Sequence, residues 1–212
     1  MQLTLGSYYP TSAALASFSP CENRDMTETE LKNEALILKA AHFAAMKHRD
    51  QRRKDHVSSP YINHPIAVAL LLAEIGKVKD PEVIAAALLH DTIEDTDTSP
   101  LELETEFGLR VRGIVEEVTD DKSLKKADRK RLQIEHAAEL STAAALVKLG
   151  DKIANVSDMT MAPPAGWDLN RRREYLDWAG EVISNCPKVN SALESRFAQV
   201  LADGRAKLMG VE

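Results

Sequence analysis

The chain has 212 residues, 44% hydrophobic, 28% charged and 5% aromatic, with 33 acids against 27 bases for a formal charge of −6. A chain of this length buries roughly 70% of its unfolded surface, so one soluble globular domain is the expectation and a basic nucleic-acid binder is disfavoured. No apolar run approaches the roughly 20 residues that cross a bilayer, which excludes a membrane span, and two cysteines, Cys21 and Cys186, are too few for a disulfide framework.

Residues 1–21 contain no charged side chain and are rich in Ser, Thr, Ala and Tyr. A secretory signal wants a basic start and a transit peptide wants arginines, so the segment 1–25 reads as a disordered extension, or as sequence upstream of a start at Met26. Exposed thiols suit a reducing compartment, which makes the cytoplasm the default location.

From Thr27 onward the chain reads as helices with marked ends. Thr27 and Glu30 form a capping box ahead of Leu31, Ala35, Leu38, His42 and Ala45, a helix expected to run to about Lys47. His64-Pro65 and Asp80-Pro81 place proline in a first helical turn, where its missing N–H costs nothing; the first run ends at Gly76 and the second climbs through Ala86 and Leu88 to His90. Ser99-Pro100 with Glu102 is a further start, stopped by Gly108, and Arg110 to Val118 reads as another helix. Residues 128–140 and 142–159 are expected as two more. A break at Pro163-Pro164-Ala165-Gly166 precedes a helix capped by Asp168, and the last runs from about Asn190 to Leu208. No period-2 strand stands out. The expected class is all-α, a compact bundle with short connections.

The chemistry concentrates in four places. His90-Asp91 closes an apolar helix and is followed by Glu94, Asp95 and Asp97, a self-repelling cluster that becomes reasonable with a cation among the carboxylates. His64 stands at a helix start among Tyr61, Ile62 and Pro65. Asp151 is embedded in Val147, Leu149, Ile153 and Val156, where it needs a partner that Lys148 or Lys152 could supply. If His64, His90, Asp91 and Asp151 converge, two imidazoles and two carboxylates would neutralise one divalent ion, with mixed N/O ligation suiting Mn²⁺, Fe²⁺ or Zn²⁺. Taken singly, each of these residues also has an ordinary reading as a solvated loop, a core histidine or a salt bridge. The fourth feature is local positive charge: Lys47, Arg49, Arg52, Arg53 and Lys54, and then Lys125, Lys126, Arg129 and Lys130. Guanidinium and ammonium groups beside a divalent ion are what a phosphorylated ligand needs.

Five blocks taken together resemble a known family: Arg52-Arg53-Lys54-Asp55, Pro60-Tyr61-Ile62-Asn63-His64-Pro65, Ala86 through Thr98 with its central His90-Asp91 and Glu94-Asp95, Glu117 through Lys122, and Lys148 through Asn155. The stretch from about residue 30 to 195 is similar to HD-domain hydrolases of the RelA/SpoT type, and among them to the stand-alone small alarmone hydrolases of the metazoan SpoT-homologue kind. The resemblance implies a multi-helix HD-domain bundle over residues 26–212, with Mn²⁺ bound by His64, His90, Asp91 and Asp151 and with Glu94 and Asp95 as the catalytic acidic pair. It implies Arg53 near a guanine base, Lys54 on phosphate, Asn155 on the ribose side and, less directly, Tyr175 in the pocket. The reaction implied is hydrolysis of guanosine tetra- or pentaphosphate at the 3′ position, without synthesis. A nucleotide is then the expected partner, with no nucleic acid, no membrane and a homodimer left open. Rival readings are another HD phosphohydrolase, acting on a nucleotide such as NADPH, a non-catalytic alarmone-binding protein, and a nucleic-acid-binding module. Two positions depart from the family pattern: Ser58-Ser59 precedes Pro60-Tyr61 where Gly-x is usual, and Gly150 replaces alanine beside Asp151, at up to about 1 kcal/mol for a helix interior.

Overall fold

A computed structural model describes residues 27–210; the expectations for residues 1–25 lie outside the described residues. Ten α-helices and one 3₁₀ turn follow in order: α1 Glu28–Lys47, α2 Asn63–Glu74, α3 Pro81–Leu89, α4 Thr92–Asp95, α5 Pro100–Phe107, α6 Leu109–Val118, α7 Lys126–Glu135, the turn Ala137–Glu139, α8 Thr142–Met161, α9 Leu169–Asn185 and α10 Ser191–Met209. The expected all-α class holds. Among the described residues the only β pairing is an isolated bridge between Arg52 and Pro60, and no helix is long and apolar enough to cross a membrane.

The helix starts follow from local chemistry. The Thr27 hydroxyl accepts from the Glu30 N–H at 3.2 Å while the Glu30 carboxylate accepts from the Thr27 N–H at 2.8 Å, which occupies two otherwise free donors. Asp80 accepts from the Glu82 N–H at 3.0 Å ahead of Pro81, Ser99 from Glu102 at 3.1 Å ahead of Pro100, and Asp168 from Arg171 at 2.8 Å. Gly108, at φ 87°, turns the chain between α5 and α6 in a conformation that a side chain would oppose.

The elements differ from the sequence reading in several places. α2 begins at Asn63, one residue before His64, with Ile62 supplying no side-chain cap. The helix expected over 128–140 is α7, which stops at Glu135 and passes through His136 into the 3₁₀ turn, because Ala137 is drawn into the core while α7 itself buries no residue. The four-residue α4 was not anticipated. Cys186 is buried at the end of α9 rather than exposed.

α3 is the axis of the molecule. Its residues Val83 to Leu89 are all buried, which a helix apolar on every side requires. α1, α2, α6 and α8 pack around it, and α10 covers the outer side of α8. Each fully buried Leu or Val of this core, such as Leu72, Leu89 and Val147, contributes about 1.5–3 kcal/mol relative to exposure. The arrangement directs the C-terminal end of α3, the first turn of α2 and the middle of α8 to one point.

Gly150 of α8 faces α2 where the two helices touch. A Cβ there would sit 2.4 Å from Leu72 Cδ1 and 3.1 Å from Val68 Cγ1. The glycine therefore does more than weaken a helix: it permits the close approach that carries His64 on α2 toward Asp151 on α8.

Candidate metal centre and adjoining cavity

His90, the residue that caps α3, and Asp91 after it enter the site because α3 ends there. His64 enters from the first turn of α2, and Asp151 from the third turn of α8. The His64 Nε2 lies 3.2 Å from Asp151 Oδ1 and 3.7 Å from Asp91 Oδ2, while the His90 Nε2 lies 3.1 Å from Asp91 Oδ2 and 3.8 Å from Asp151 Oδ1. Four side chains 87 residues apart at their extremes thus converge. His64, His90 and Asp151 form a group of ligand atoms within 4.8 Å of one another, and Asp91 adjoins it through both imidazoles.

The donor set fits a divalent cation. His90 Nδ1 is 2.8 Å from the Ala87 carbonyl, which holds a proton on that nitrogen and makes Nε2 the one that would give up its proton to a metal. That Nε2 is buried, has no hydrogen-bond partner of good geometry, and points at two carboxylates. Burial alone would push the His90 imidazole down, but the Asp91 and Asp151 charges outweigh it and lift the group to about 9. Burial likewise opposes ionisation of Asp91 and Asp151; the histidines and, for Asp151, the Lys152 ammonium hold both below the usual carboxylate range. Protons here balance charge that a cation would balance.

Surrounding groups orient these side chains. Tyr61 Oη donates to Asp91 Oδ2 at 2.6 Å, and burial, then the Asp91 charge, keeps that phenol protonated. Of the two lysines expected beside Asp151, Lys152 pairs with it at 2.9 Å, whereas Lys148 donates to the Val118 carbonyl at 3.0 Å. Asn155, one turn further along α8, donates to Asp151 Oδ1.

The acidic pair of α4 divides between two spaces. Glu94 lines a cleft of about 150 Å³ together with His64, His90, Asp91 and Asp151. Its carboxylate accepts from the Asp120 N–H at 3.2 Å and lies 3.5 Å from Arg129. Burial, reinforced by the charges of Asp120 and Asp91, raises its pKa to about 7. Asp95 instead faces a cavity of about 730 Å³, where it accepts from Gln51 Nε2 at 2.9 Å and pairs with Lys122. Tyr61, His64 and Asn155 line both spaces, so the cleft opens beside the cavity.

That cavity also collects Arg53, Lys54, Asn155 and Tyr175. Arg53 is held by Asp158, lies over the Tyr61 ring at 5.7 Å, and is anchored by its N–H to the Ser59 carbonyl at 2.8 Å. Ser58, at φ 52°, takes the left-handed turn that glycine favours, so the departure from Gly-x-Pro-Tyr leaves this bend in place. Tyr175 is flanked by Trp167 at 5.9 Å and Trp178 at 5.4 Å, and burial pushes its phenol up to about 12. Sequence reasoning passed over Gln51, Tyr61 as a donor, Asp120, Lys122 and Trp167. Their roles depend on contacts across the fold, and only the aromatic spacing of Trp167, Tyr175 and Trp178 offered a local signal.

An HD domain model matches residues 40–176. The chain belongs to the HD-domain family. It is 53% identical over 169 residues to the guanosine-3′,5′-bis(diphosphate) 3′-pyrophosphohydrolase MESH1 of Xenopus tropicalis, across 80% of this chain and 94% of that protein. It is 52% identical over 160 residues to the Homo sapiens protein of the same name, across 76% and 89%. A solved structure described as a metazoan ortholog of SpoT that hydrolyzes ppGpp superposes with a TM-score of 0.77 at 46% identity, covering 79% of this chain and 94% of that one.

Proposed function

We propose that this HD-domain protein hydrolyses guanosine 3′,5′-bis(diphosphate), and its pentaphosphate counterpart, at the 3′ position. GDP or GTP and pyrophosphate are the products. The observation that carries the reading is the junction of a cation-fitting His/Asp cleft with a basic, aromatic-lined cavity of nucleotide size. Near end-to-end similarity to relatives named for this hydrolysis supports it, and the reading is of hydrolysis alone.

His64, His90, Asp91 and Asp151 would hold the metal, which we take to be Mn²⁺. When bound, such an ion acidifies a water molecule and polarises a phosphoryl oxygen. Glu94, raised to about 7, exchanges a proton near neutrality and is the acceptor for the attacking water. Asp95, on the cavity side, orients that water. The bond from O3′ to the diphosphate breaks, O3′ takes up a proton, and the water oxygen departs in pyrophosphate. Lys54 meets phosphate charge, Arg53 faces the base, and Asn155 and Tyr175 complete the nucleoside side. Residues 26–212 act as one working unit, and a nucleotide substrate together with a buried, unpaired Cys186 suits a cytoplasmic setting.

The test is turnover of the 3′,5′-bis(diphosphate) by purified protein with Mn²⁺, followed by ion-exchange separation of nucleotides and a pyrophosphate assay. GDP and pyrophosphate should appear in equal amounts. EDTA or Asp91→Ala should abolish turnover, and Glu94→Ala should abolish it with metal still bound. Full activity in the Asp91 variant would overturn the metal assignment, and no release of pyrophosphate would overturn the reaction.

A further inference from the structure

His48 ends α1 in the interior, 1% exposed, and lines neither the cleft nor the cavity. Its Nδ1 lies 2.6 Å from the Oε1 of Gln51, whose Nε2 in turn lies 2.9 Å from Asp95 Oδ2. The polarity of this chain has one solution. A carboxylate oxygen only accepts, so the Gln51 amide must turn its NH₂ to Asp95 and its carbonyl to His48, and His48 must then carry its proton on Nδ1. The Gln51 backbone is fixed from both sides, its N–H bonded to the His48 carbonyl at 3.0 Å and its carbonyl to the Tyr61 N–H at 3.1 Å. Only the side chain is left to be set.

Holding His48 in that tautomer has a cost. The other ring nitrogen, Nε2, is buried without a partner, and the ring packs 5.0 Å from that of Tyr61. A leucine of similar bulk would remove that unpaired nitrogen, at the expense of the donor that the Gln51 carbonyl now has. The N–H aimed at Gln51 is what an apolar residue would lack.

We infer that His48 is a positioning residue which, through the amide of Gln51, fixes the carboxylate of Asp95 for the reaction. The second oxygen of Asp95 is met by Lys122, half-exposed on the loop before α7, so the arm through Gln51 and His48 is the rigid half of the clamp. This inference rests on the role given to Asp95 above.

The experiment is steady-state kinetics on guanosine 3′,5′-bis(diphosphate) with saturating Mn²⁺, together with thermal unfolding, for His48→Leu, His48→Asn and Gln51→Met, each alone and combined with Asp95→Ala. His48→Leu should lower kcat about 10- to 100-fold, the scale of a misplaced reacting group, with KM changed less than about twofold. His48→Asn, whose amide N–H falls near the Nδ1 position, should restore most of kcat. Gln51→Met should reproduce the loss, which keeps the test open if His48→Leu does not fold. In the Asp95→Ala background neither variant should lower the residual rate further. An undiminished loss in that background, a loss expressed in KM, or no rescue by a folded His48→Asn would overturn the inference while leaving the proposed reaction standing. Unchanged kcat in Asp95→Ala alone would instead remove the role of Asp95, and the inference with it.

Discussion

Replacing Gly150 by alanine separates helix propensity from packing at the contact that builds the site. In an exposed helix the change would stabilise by about 1 kcal/mol. Here the new methyl group would lie 2.4 Å from Leu72 Cδ1 and 3.1 Å from Val68 Cγ1, so the leucine must move by about 1 Å to reach ordinary contact. Leu72 is fully buried, so a shift of that size presses it against close-packed neighbours. Overpacking of this kind costs about 1–3 kcal/mol, which leaves Gly150→Ala destabilising by about 0–2 kcal/mol. Leu72→Val removes the closer of the two obstructing atoms at about 1 kcal/mol of lost burial. In that background Gly150→Ala should turn stabilising by about 1 kcal/mol, giving a coupling of about 1–3 kcal/mol between the two sites. Urea unfolding of the four proteins, compared by midpoint at constant slope, measures it. A gain of about 1 kcal/mol from Gly150→Ala in the unaltered chain, or a coupling within about 0.5 kcal/mol of zero, would refute the argument that this glycine sets the spacing of α2 and α8.

Three further outcomes follow from the site. Because the charges on Asp91 and Asp151 lift His90 to about 9 against the effect of burial, its imidazole is protonated at neutral pH; Mn²⁺ uptake should therefore release close to one proton and strengthen about tenfold per pH unit between pH 6.5 and 7.5, as titration calorimetry in two buffers would read, and a pH-independent affinity would contradict it. Burial first, then Asp120 and Asp91, raises Glu94, and a proton acceptor must be ionised to act, so activity should climb with pH along a limb at or below about 7, where a cation draws it down; Asp120→Asn should shift that limb to lower pH, and an unmoved limb would count against Glu94. Tyr61→Phe deletes the 2.6 Å hydrogen bond to Asp91 and should weaken Mn²⁺ binding roughly 10- to 100-fold, with an unchanged dissociation constant as the contrary result.

What was legible in the sequence was local. Thr27 with Glu30, Asp80 with Pro81, and Ser99 with Pro100 and Glu102 satisfy donors within four residues of themselves, and the helices begin where those groups stand. The sequence predicts α7 as far as residue 140, past its end at Glu135, because nothing local ends it. Its boundary comes from burial of Ala137, a contact with the core that no spacing encodes. The same division runs through the site. His90-Asp91 could be placed at the end of an apolar helix from the sequence alone, but its meeting with His64 and Asp151 was carried by the family resemblance, since no periodicity links positions 87 residues apart. Lys148 and Lys152 stand one turn apart on the same face of α8, and Lys152 alone pairs with Asp151 because the fold brings the Val118 carbonyl to Lys148. Gln51 looked like one polar residue beside a basic run until the fold set it against Asp95.

A net charge of −6 opposes a ligand carrying two diphosphates when only the total is counted, and the pairing of charges in the structure removes that opposition. Several surface acids are matched on the spot: Arg110 takes Asp80 and Glu82, Arg112 takes Glu104 and Glu116, Arg131 takes Glu135. Such exposed pairs add little stability, but they leave little field behind. At the cavity the pattern reverses. Lys126 is held below its ordinary value by burial and then by Arg171, Lys54 and Arg129, and Lys130 by burial and then by Lys126. Lys126 and Arg171 both lie over the Trp167 ring, at 5.6 and 4.1 Å, beside the space that Lys54 lines. Cations crowded against aromatic faces and one another store repulsion that an incoming polyanion relieves. Under the proposed function, the attraction for phosphate would reside in this group of like charges, and the acidic total would measure the rest of the surface.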